Sequence, residues 1–491
     1  MALTSPSQGR SLTFPPAPAD PRPRSEPRSH RRAATKAGSP ATLRMRRGAL
    51  LALGVFAPLL AALAGFAKLQ HEVTQLPAPL VEPVTRGRIL ASDGTVLADG
   101  PADARRYPQG ALAGVLVGFT GSDQPDGRYG LEGLEYSIDG YLATGADAVL
   151  TLDPVLQSIA ERHLAASAEA HHAESGAAVI LEVGSGNVLA AASYPNYDPN
   201  AWRDEFANQK NRAFQVPYEP GSVVKPLVVA GLLETGRLSP GETIEAPMTL
   251  RVGEKTFRDV ARHDPLLSVP DVLAYSSNSA MIALGQRFAP DELFDWLGRF
   301  GIGQDLNLTS SFTNSGHLND WRRWVPQDHA ANSIGQNHST TPLQLAAAYG
   351  VIANDGVYVP PRLMAQDVVP EPHRVLSPEV AQSVRSMLIH VMETGGLRDS
   401  GIPGVTVAGK TGTADIWDAT AQAYLPGDYS LTFAGMFPAE RPRVVVVVML
   451  RKPDTDATST YVAAPLFRAI GSEVVAHWGT APTVDALANV R

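Results

Sequence analysis

Ser222 stands three residues before Lys225 in the run Glu219-Pro220-Gly221-Ser222-Val223-Val224-Lys225-Pro226-Leu227, at the start of an apolar stretch. On a helix, positions i and i+3 share a face with Cβ atoms about 5–6 Å apart, so Ser222 Oγ and Lys225 Nζ can meet. A buried lysine that has lost its proton is a base, and such a pair builds a nucleophile without histidine. A free lysine titrates near 10.4, so work at pH 7 requires a fall of about 3, or about 4 kcal/mol, from burial and a neighbouring cation. Pro220-Gly221 suits a helix N-terminus, whose free N–H groups and dipole favour an alkoxide. The chain has seven lysines, and only Lys225 has a serine three positions upstream. Most of its positive charge is arginine, which cannot act as a base near neutrality. Taken alone, the four residues fit an ordinary helix with a solvated lysine better than they fit a site.

Two further groups change that balance. Tyr275-Ser276-Ser277-Asn278-Ser279 follows, with Ser276 54 residues after Ser222, and Lys410-Thr411-Gly412-Thr413 begins 134 residues after Ser276. A lone Ser-x-Asn reads as a helix cap, and a lone Lys-Thr-Gly is a weak signal. In this order and at these separations the three are strong.

The set resembles the penicillin-binding proteins and serine β-lactamases, which carry an S-x-x-K, S-x-N and K-T-G trio. The resemblance extends over nearly everything after residue 67. Further stretches carry it: 131–135, Pro195-Asn196-Tyr197-Asp198-Pro199, Ser333-Ile334-Gly335-Gln336 before Thr341-Pro342-Leu343-Gln344-Leu345, and Phe433-Ala434-Gly435. Together they look like a class B enzyme, a monofunctional D,D-transpeptidase of the division or elongation type. The chain before Ser222 is too short to hold a glycosyltransferase domain as well.

The resemblance implies roles. Ser222 would attack the penultimate D-Ala carbonyl of a peptidoglycan stem peptide and Lys225 would take its proton. Ser276 would relay a proton to the leaving amine, tuned by Lys410, and Asn278 would orient Lys225 and the substrate amide. Lys410, Thr411, Gly412 and Thr413 would hold the substrate carboxylate on a strand edge. The backbone N–H groups of Ser222 and Thr413 would form the oxyanion hole. β-Lactams would acylate the same serine, and no cofactor is implied. The implied partners are a membrane glycan polymerase and divisome or elongasome proteins, with septal synthesis favoured over elongation. One departure stands out: Ala91 replaces the family's Asp two residues after the Ile of Arg86-Gly87-Arg88-Ile89, and Asp93 lies nearby.

These residues need a scaffold. Asp153-Pro154 starts a helix with Val155, Leu156, Ile159, Ala160 and Leu164 on one face. Residues 177–182 and 188–194 read as strands around a Gly184/Gly186 turn. The stretch after Ser222 reads as a buried helix ending near Thr235-Gly236. Residues 271–288 and 341–354 read as helices, the second with Pro342 at a first helical position. Residues 405–408, 430–437 and 444–450 read as strands, and 461–478 closes the chain as a helix. Strands before and after a helical block predict an α/β (α+β) fold, an antiparallel sheet with helices packed on it. Ahead of it, Arg86 to Ala98 reads as two short strands around Ser92-Asp93-Gly94.

The net charge of −8 hides an asymmetry, since residues 1–47 carry +8 and the remainder −16. The Pro-, Ser- and Arg-rich tail is too poor in apolar residues to fold, and it reads as a disordered cytoplasmic flank, not a nucleic-acid arm. Residues 48–67 are twenty uncharged residues, about 30 Å as a helix, preceded by Arg44, Arg46 and Arg47. They read as an uncleaved anchor in the plasma (inner) membrane, N-terminus inside and catalytic part outside. The expected division is 1–47 tail, 48–67 anchor, 68–150 pedestal resembling a penicillin-binding protein dimerisation module, 151–482 transpeptidase domain and 483–491 C-terminal tail.

Rival readings have weaker support. Gly404 to Thr411 matches the G-x-x-x-x-G-K-[ST] phosphate loop letter for letter. That loop must be flexible and feed a helix, whereas Val405-Thr406-Val407-Ala408 is strand-like. The chain has no cysteine. His171-His172 is expected on a helix without metal-ligand spacing, so no metal site is expected. A D,D-carboxypeptidase, a β-lactamase or β-lactam sensor, and a non-catalytic assembly protein remain as alternatives.

Overall fold

The computed structural model describes residues 57–70 and 85–479, except 122–126, 205–209, 307, 309–312, 395, 419 and 455–457. It divides into two units, residues 1–81 and 82–491. In the first, residues 57–70 are helical. No helix among the described residues is long and apolar enough to cross a membrane. Residues 48–56 of the expected anchor, and both expected tails, lie outside the described residues.

In the second unit, Asp153 accepts the N–H groups of Val155 and Leu156 and so starts α1 (Pro154–Ala170), with Pro154 in the first turn. Leu156, Ile159, Ala160 and Leu164 are buried, but Val155, expected on the same face, is 45% exposed. The helix ends before the two histidines. His171 is its C-cap and His172 is left-handed (φ 49°), which corrects the helical placement expected for the pair.

The hairpin β1 (Ser175–Glu182) and β2 (Val188–Tyr194) follows. The helical block contains α2 (Lys225–Glu234), α3 (Asn278–Gly285), α4 (Pro342–Ala353) and α5 (Pro378–Thr394). The chain then returns to the sheet with β3 (Ala408–Asp418), β4 (Ala423–Phe437) and β5 (Val444–Arg451), and closes with α6 (Ala463–His477). The sheet order is β3-β4-β5-β1-β2, every pair antiparallel. This is the mixed α/β architecture the alternation of strands and helices predicted.

Side chains alternate across a strand, which sorts the helices onto two faces. Leu164 of α1 and Phe467 of α6 pack over Gly176 and Gly435, while α4 approaches Leu181 with Gly350. Covered on both faces, the central strand β5 has no solvated side, and Val444 to Leu450 are all fully buried. α4 is likewise apolar around its circumference, because it lies inside the helical layer. Thr341 caps it, accepting the Gln344 N–H while the Gln344 side chain takes the Thr341 N–H.

Within the second unit, three short strands ahead of α1 build a small sheet. Strands 89–90 and 96–98 pair antiparallel, and 89–90 pairs parallel with 148–149. Glu135 is fully buried between Arg86 and Arg105, at 2.6 Å from each. Asp93 accepts the Thr95 N–H at 2.8 Å, and so serves the turn.

One expected element is broken. Residues 271–288 form two helices, Val269–Ala274 and α3, instead of one. The interruption is Ser276, which takes a left-handed φ of 56°. A continuous helix cannot hold that conformation.

Candidate active site

Ser222 lies on a 3-10 turn, Gly221–Val224, that runs directly into α2. With three residues per turn, positions i and i+3 eclipse, so Ser222 and Lys225 line up more closely than on an α-helix. The turn is pressed onto β3. Gly221 has φ +64°, and a Cβ there would lie 2.7 Å from the Thr413 carbonyl oxygen. A Cβ on Gly412 would lie 2.7 Å from the Pro220 carbonyl oxygen. The two glycines let a turn and a strand approach backbone to backbone. The Gly221 N–H also donates to Gly335 O at 2.8 Å, which ties in the 333–336 stretch.

Lys225 is fully buried. Its Nζ reaches the Ser276 carbonyl oxygen (2.5 Å), Asn278 Oδ1 (2.8 Å) and Ser276 Oγ (3.2 Å). Ser222 Oγ has no hydrogen-bond partner among the described residues, so the direct Ser222–Lys225 contact expected from the spacing is not formed. Lys410 Nζ reaches the same Ser276 Oγ at 3.1 Å and the Thr411 carbonyl at 3.0 Å. Two lysines therefore share one hydroxyl.

Burial pushes Lys225 well below the ordinary lysine value, Lys410 adds to the fall, and Asp259 opposes it. Burial brings Lys410 down to about 7. A neutral amine has two N–H groups and one lone pair. The Ser276 and Asn278 oxygens take the two N–H groups of Lys225, which leaves the lone pair for a hydroxyl. The Asn278 amide is oriented for this, because its Nδ2 donates to the Arg258 carbonyl at 2.8 Å.

The loop that carries Ser276 and Asn278 is held by a residue the motifs did not reveal. Asp259 accepts from Ser277 Oγ (2.6 Å), Asn278 N (2.6 Å), Ser279 N (2.9 Å) and Ser279 Oγ (2.9 Å). His263 Nε2 lies 2.8 Å away on the same carboxylate. Burial pushes Asp259 up, but these hydrogen bonds outweigh it and hold the group below its ordinary value. Nothing in the sequence points to Asp259, since it follows a short hairpin 17 residues before Ser276 and belongs to no spaced pair.

β3 is the edge strand, paired only with β4, so its outer edge is open to an extended peptide. Thr411 and Thr413 project from one face of it, and Thr413 Oγ1 lies 2.6 Å from Ser459 Oγ. All the residues expected at the site are thus gathered around the Ser222 turn, the 276–278 loop and β3.

The family profile of the penicillin binding protein transpeptidase domain matches residues 176–472. The chain belongs to the class B penicillin-binding proteins. It is 32% identical over 411 residues to the probable peptidoglycan D,D-transpeptidase PenA of Neisseria meningitidis, covering 77% of this chain and 69% of that one. It is 32% identical over 418 residues to the peptidoglycan D,D-transpeptidase FtsI of Escherichia coli, covering 78% and 68%. Among solved structures, penicillin-binding protein 3 of Mycobacterium tuberculosis in complex with ampicillin matches with a TM-score of 0.75 at 32% identity, covering 82% of this chain and 97% of that one. Membership disposes of the phosphate-loop reading of 404–411, whose last half lies in β3; the strand expected over 405–408 begins only at Ala408, since 405–407 belong to the turn that leads into it.

Proposed function

We propose that the chain is a peptidoglycan D,D-transpeptidase that cross-links stem peptides through an acyl-enzyme on Ser222, in septal wall synthesis. The observation that carries this reading is the convergence of Lys225 and Lys410 on Ser276 Oγ beside the Ser222 turn. Ser222 Oγ attacks the penultimate D-Ala carbonyl carbon while its proton passes to Lys225 Nζ. The N–H groups of Ser222 and Thr413 receive the oxyanion; one such donor is typically worth about 10²–10³-fold in rate. The C–N bond to the terminal D-Ala breaks as the proton travels from Lys225 through Ser276 Oγ to the leaving amine. The ester is then attacked by an amine of a neighbouring stem, whose proton returns by the same route, and Ser222 regains its hydroxyl.

Lys410, Thr411 and Thr413 grip the terminal carboxylate, Gly412 allows the strand to sit against the nucleophile's turn, and Asn278 orients Lys225 and the substrate amide. β-Lactams acylate Ser222 in place of the stem, a reading supported by the ampicillin and aztreonam complexes of the mycobacterial relative. In the same reading, residues 48–67 anchor the chain in the plasma membrane. Residues 1–47 lie inside, 68–150 act as a pedestal, 151–482 form the catalytic domain and 483–491 trail from it. The arginines before residue 48 support that orientation. A membrane glycan polymerase and division proteins are the partners this implies.

Labelling with a fluorescent penicillin tests the assignment. The wild type should label covalently and Ser222→Ala should not; equal labelling of the two would refute it. Rapid release of the drug would instead mark a β-lactamase. Purified lipid II supplied with a polymerase separates cross-linking from trimming by water.

A further inference from the structure

Five donors converge on the Asp259 carboxylate. Four come from residues 277–279, and the fifth is the His263 ring, whose Nε2 lies 2.8 Å from Asp259 Oδ2. The chain brings the two together locally. The hairpin of Thr249–Val252 and Lys255–Arg258 ends at Asp259, and residues 259–265 turn back to the strand Leu266–Ser268. This turn is pinned at both ends, since the Asp259 N–H donates to Met248 O and the Ala246 N–H to Pro265 O. The side chains of His263 and Asp259 are 0% and 1% exposed, so their contacts are shut off from water.

The protonation of the ring follows from what its two nitrogens face. Nδ1 lies 2.8 Å from the Asp264 carbonyl oxygen, which has no proton to give. Nε2 faces a carboxylate that the N–H groups of Asn278 and Ser279 and the hydroxyls of Ser277 and Ser279 hold ionised. A neutral imidazole has one N–H and one lone pair, so one nitrogen would aim its lone pair at an oxygen. Only the imidazolium, with two N–H groups, satisfies both contacts. The electrostatics agree. Burial pulls the ring down, but the Asp264 carbonyl, the Asp259 hydrogen bond and the charges of Asp259 and Asp264 outweigh it and lift it above the ordinary histidine value. The Tyr275 ring, 5.9 Å away on the segment before α3, brings no charge, and Arg258 and Arg262 are exposed to solvent.

This charge bears on the base. Asp259 opposes the loss of the Lys225 proton. Asn278 joins the two, its backbone N–H on Asp259 and its Oδ1 on Lys225 Nζ. A single charge acts with a strength that falls as the distance, whereas a close pair of opposite charges falls off faster, so a cation on Asp259 shields Lys225 from it.

We propose that His263, as a buried imidazolium, is a positioning residue for the acylation of Ser222: it locks Asp259, through which Ser276 and Asn278 are placed, and cancels the charge that would otherwise keep Lys225 protonated. The proposal rests on the transpeptidase reading of Ser222 and Lys225.

Rates of labelling by fluorescent penicillin, measured against pH on the full chain, test it in the wild type, in His263→Gln and in His263→Gln combined with Asp259→Asn. Glutamine keeps a donor for Asp259 but carries no charge. The acidic limb, set by Lys225, should move up by about 0.5–1 unit in His263→Gln, the scale of one partly screened charge. Removing the Asp259 charge as well should return the limb to its wild-type position while the maximum stays low. A role confined to holding the loop would lower the maximum in both variants and move neither limb. An acidic limb unmoved in His263→Gln, or still displaced in the double variant, would overturn the proposal. Should His263→Gln fail to fold, NMR of the wild-type chain with isotope-labelled histidine decides. The ring with cross-peaks to Tyr275 should carry a proton on each nitrogen and titrate above about 6.5, the ordinary value; a singly protonated ring below that pH would overturn the proposal. Wild-type labelling of Ser222 with an unmoved limb removes only the role of His263, whereas absence of that labelling would overturn the transpeptidase reading as well.

Discussion

Lys225 and Lys410 meet at a single oxygen, Ser276 Oγ, 3.2 Å from the first nitrogen and 3.1 Å from the second. Two buried cations cannot both stay charged there without cost. Burial lowers both, and the charge of Lys410 lowers Lys225 further, so Lys225 yields its proton first and the hydroxyl links the resulting base to the remaining acid.

Lys225→Arg keeps a long side chain of similar reach but stays protonated and cannot be a base. Acylation by penicillin should fall about 10²–10⁴-fold, the usual worth of a positioned general base. Stopped-flow or gel-based labelling rates measure it.

The pH profile of acylation should be a bell. Lys225 must be neutral, so the rate rises as pH passes its lowered pKa. Lys410 must be charged to grip a carboxylate, so in the free enzyme the rate falls above about 7. Lys410→Arg should lose the alkaline limb while lowering the maximum. An alkaline limb unchanged in that variant would detach Lys410 from it.

Asp259→Ala would leave the N–H groups of Asn278 and Ser279 and two serine hydroxyls without their acceptor. Each buried group left unpaired costs about 1–3 kcal/mol. The melting temperature should drop, and acylation should slow as Ser276 and Asn278 lose their placement. Asp259→Asn, which keeps one accepting oxygen, should recover stability before it recovers rate.

Gly221→Ala places a methyl group against the Thr413 carbonyl in a left-handed backbone. The conformation alone costs about 1–2 kcal/mol. The turn must back away from β3, and penicillin labelling should slow by an order of magnitude or more, roughly the loss of one oxyanion donor.

Glu135→Ala would leave Arg105 without its carboxylate and Arg86 with Asp139 alone, both arginines being nearly without solvent contact. Breaking a buried ion group in this way costs about 3–5 kcal/mol, readable as a lowered denaturant midpoint. The effect should fall on stability, with the pH profile of acylation unchanged.

The sequence revealed the site's membership because each motif packs its chemistry into a few neighbouring residues. Ser222 and Lys225 sit within one turn of helix, and Lys410 to Thr413 within one strand. The sheet was readable for a similar reason: Val444 to Leu450 is too apolar to be anything but covered on both sides. The expected helix over 271–288 was wrong where it mattered, since Ser276 breaks it. Propensity favours continuity there, and the break depends on Asp259, a residue from another element that accepts the loop's N–H groups.

By itself, then, the sequence determined which residues gather at the candidate site, the order in which they come and the α/β scaffold that holds them. Only the tertiary structure decided how they meet. It sends Lys225 to Ser276 and Asn278 instead of to Ser222, puts Lys410 on the same hydroxyl, presses Gly221 against β3, and seats the His263 ring between Asp259 and Asp264. The reason is physical. Local spacing governs contacts within a turn or a strand, whereas burial and the pairing of polar groups are settled among segments distant in the chain, and it is these that shift the lysines and fix the placement of the loop between them.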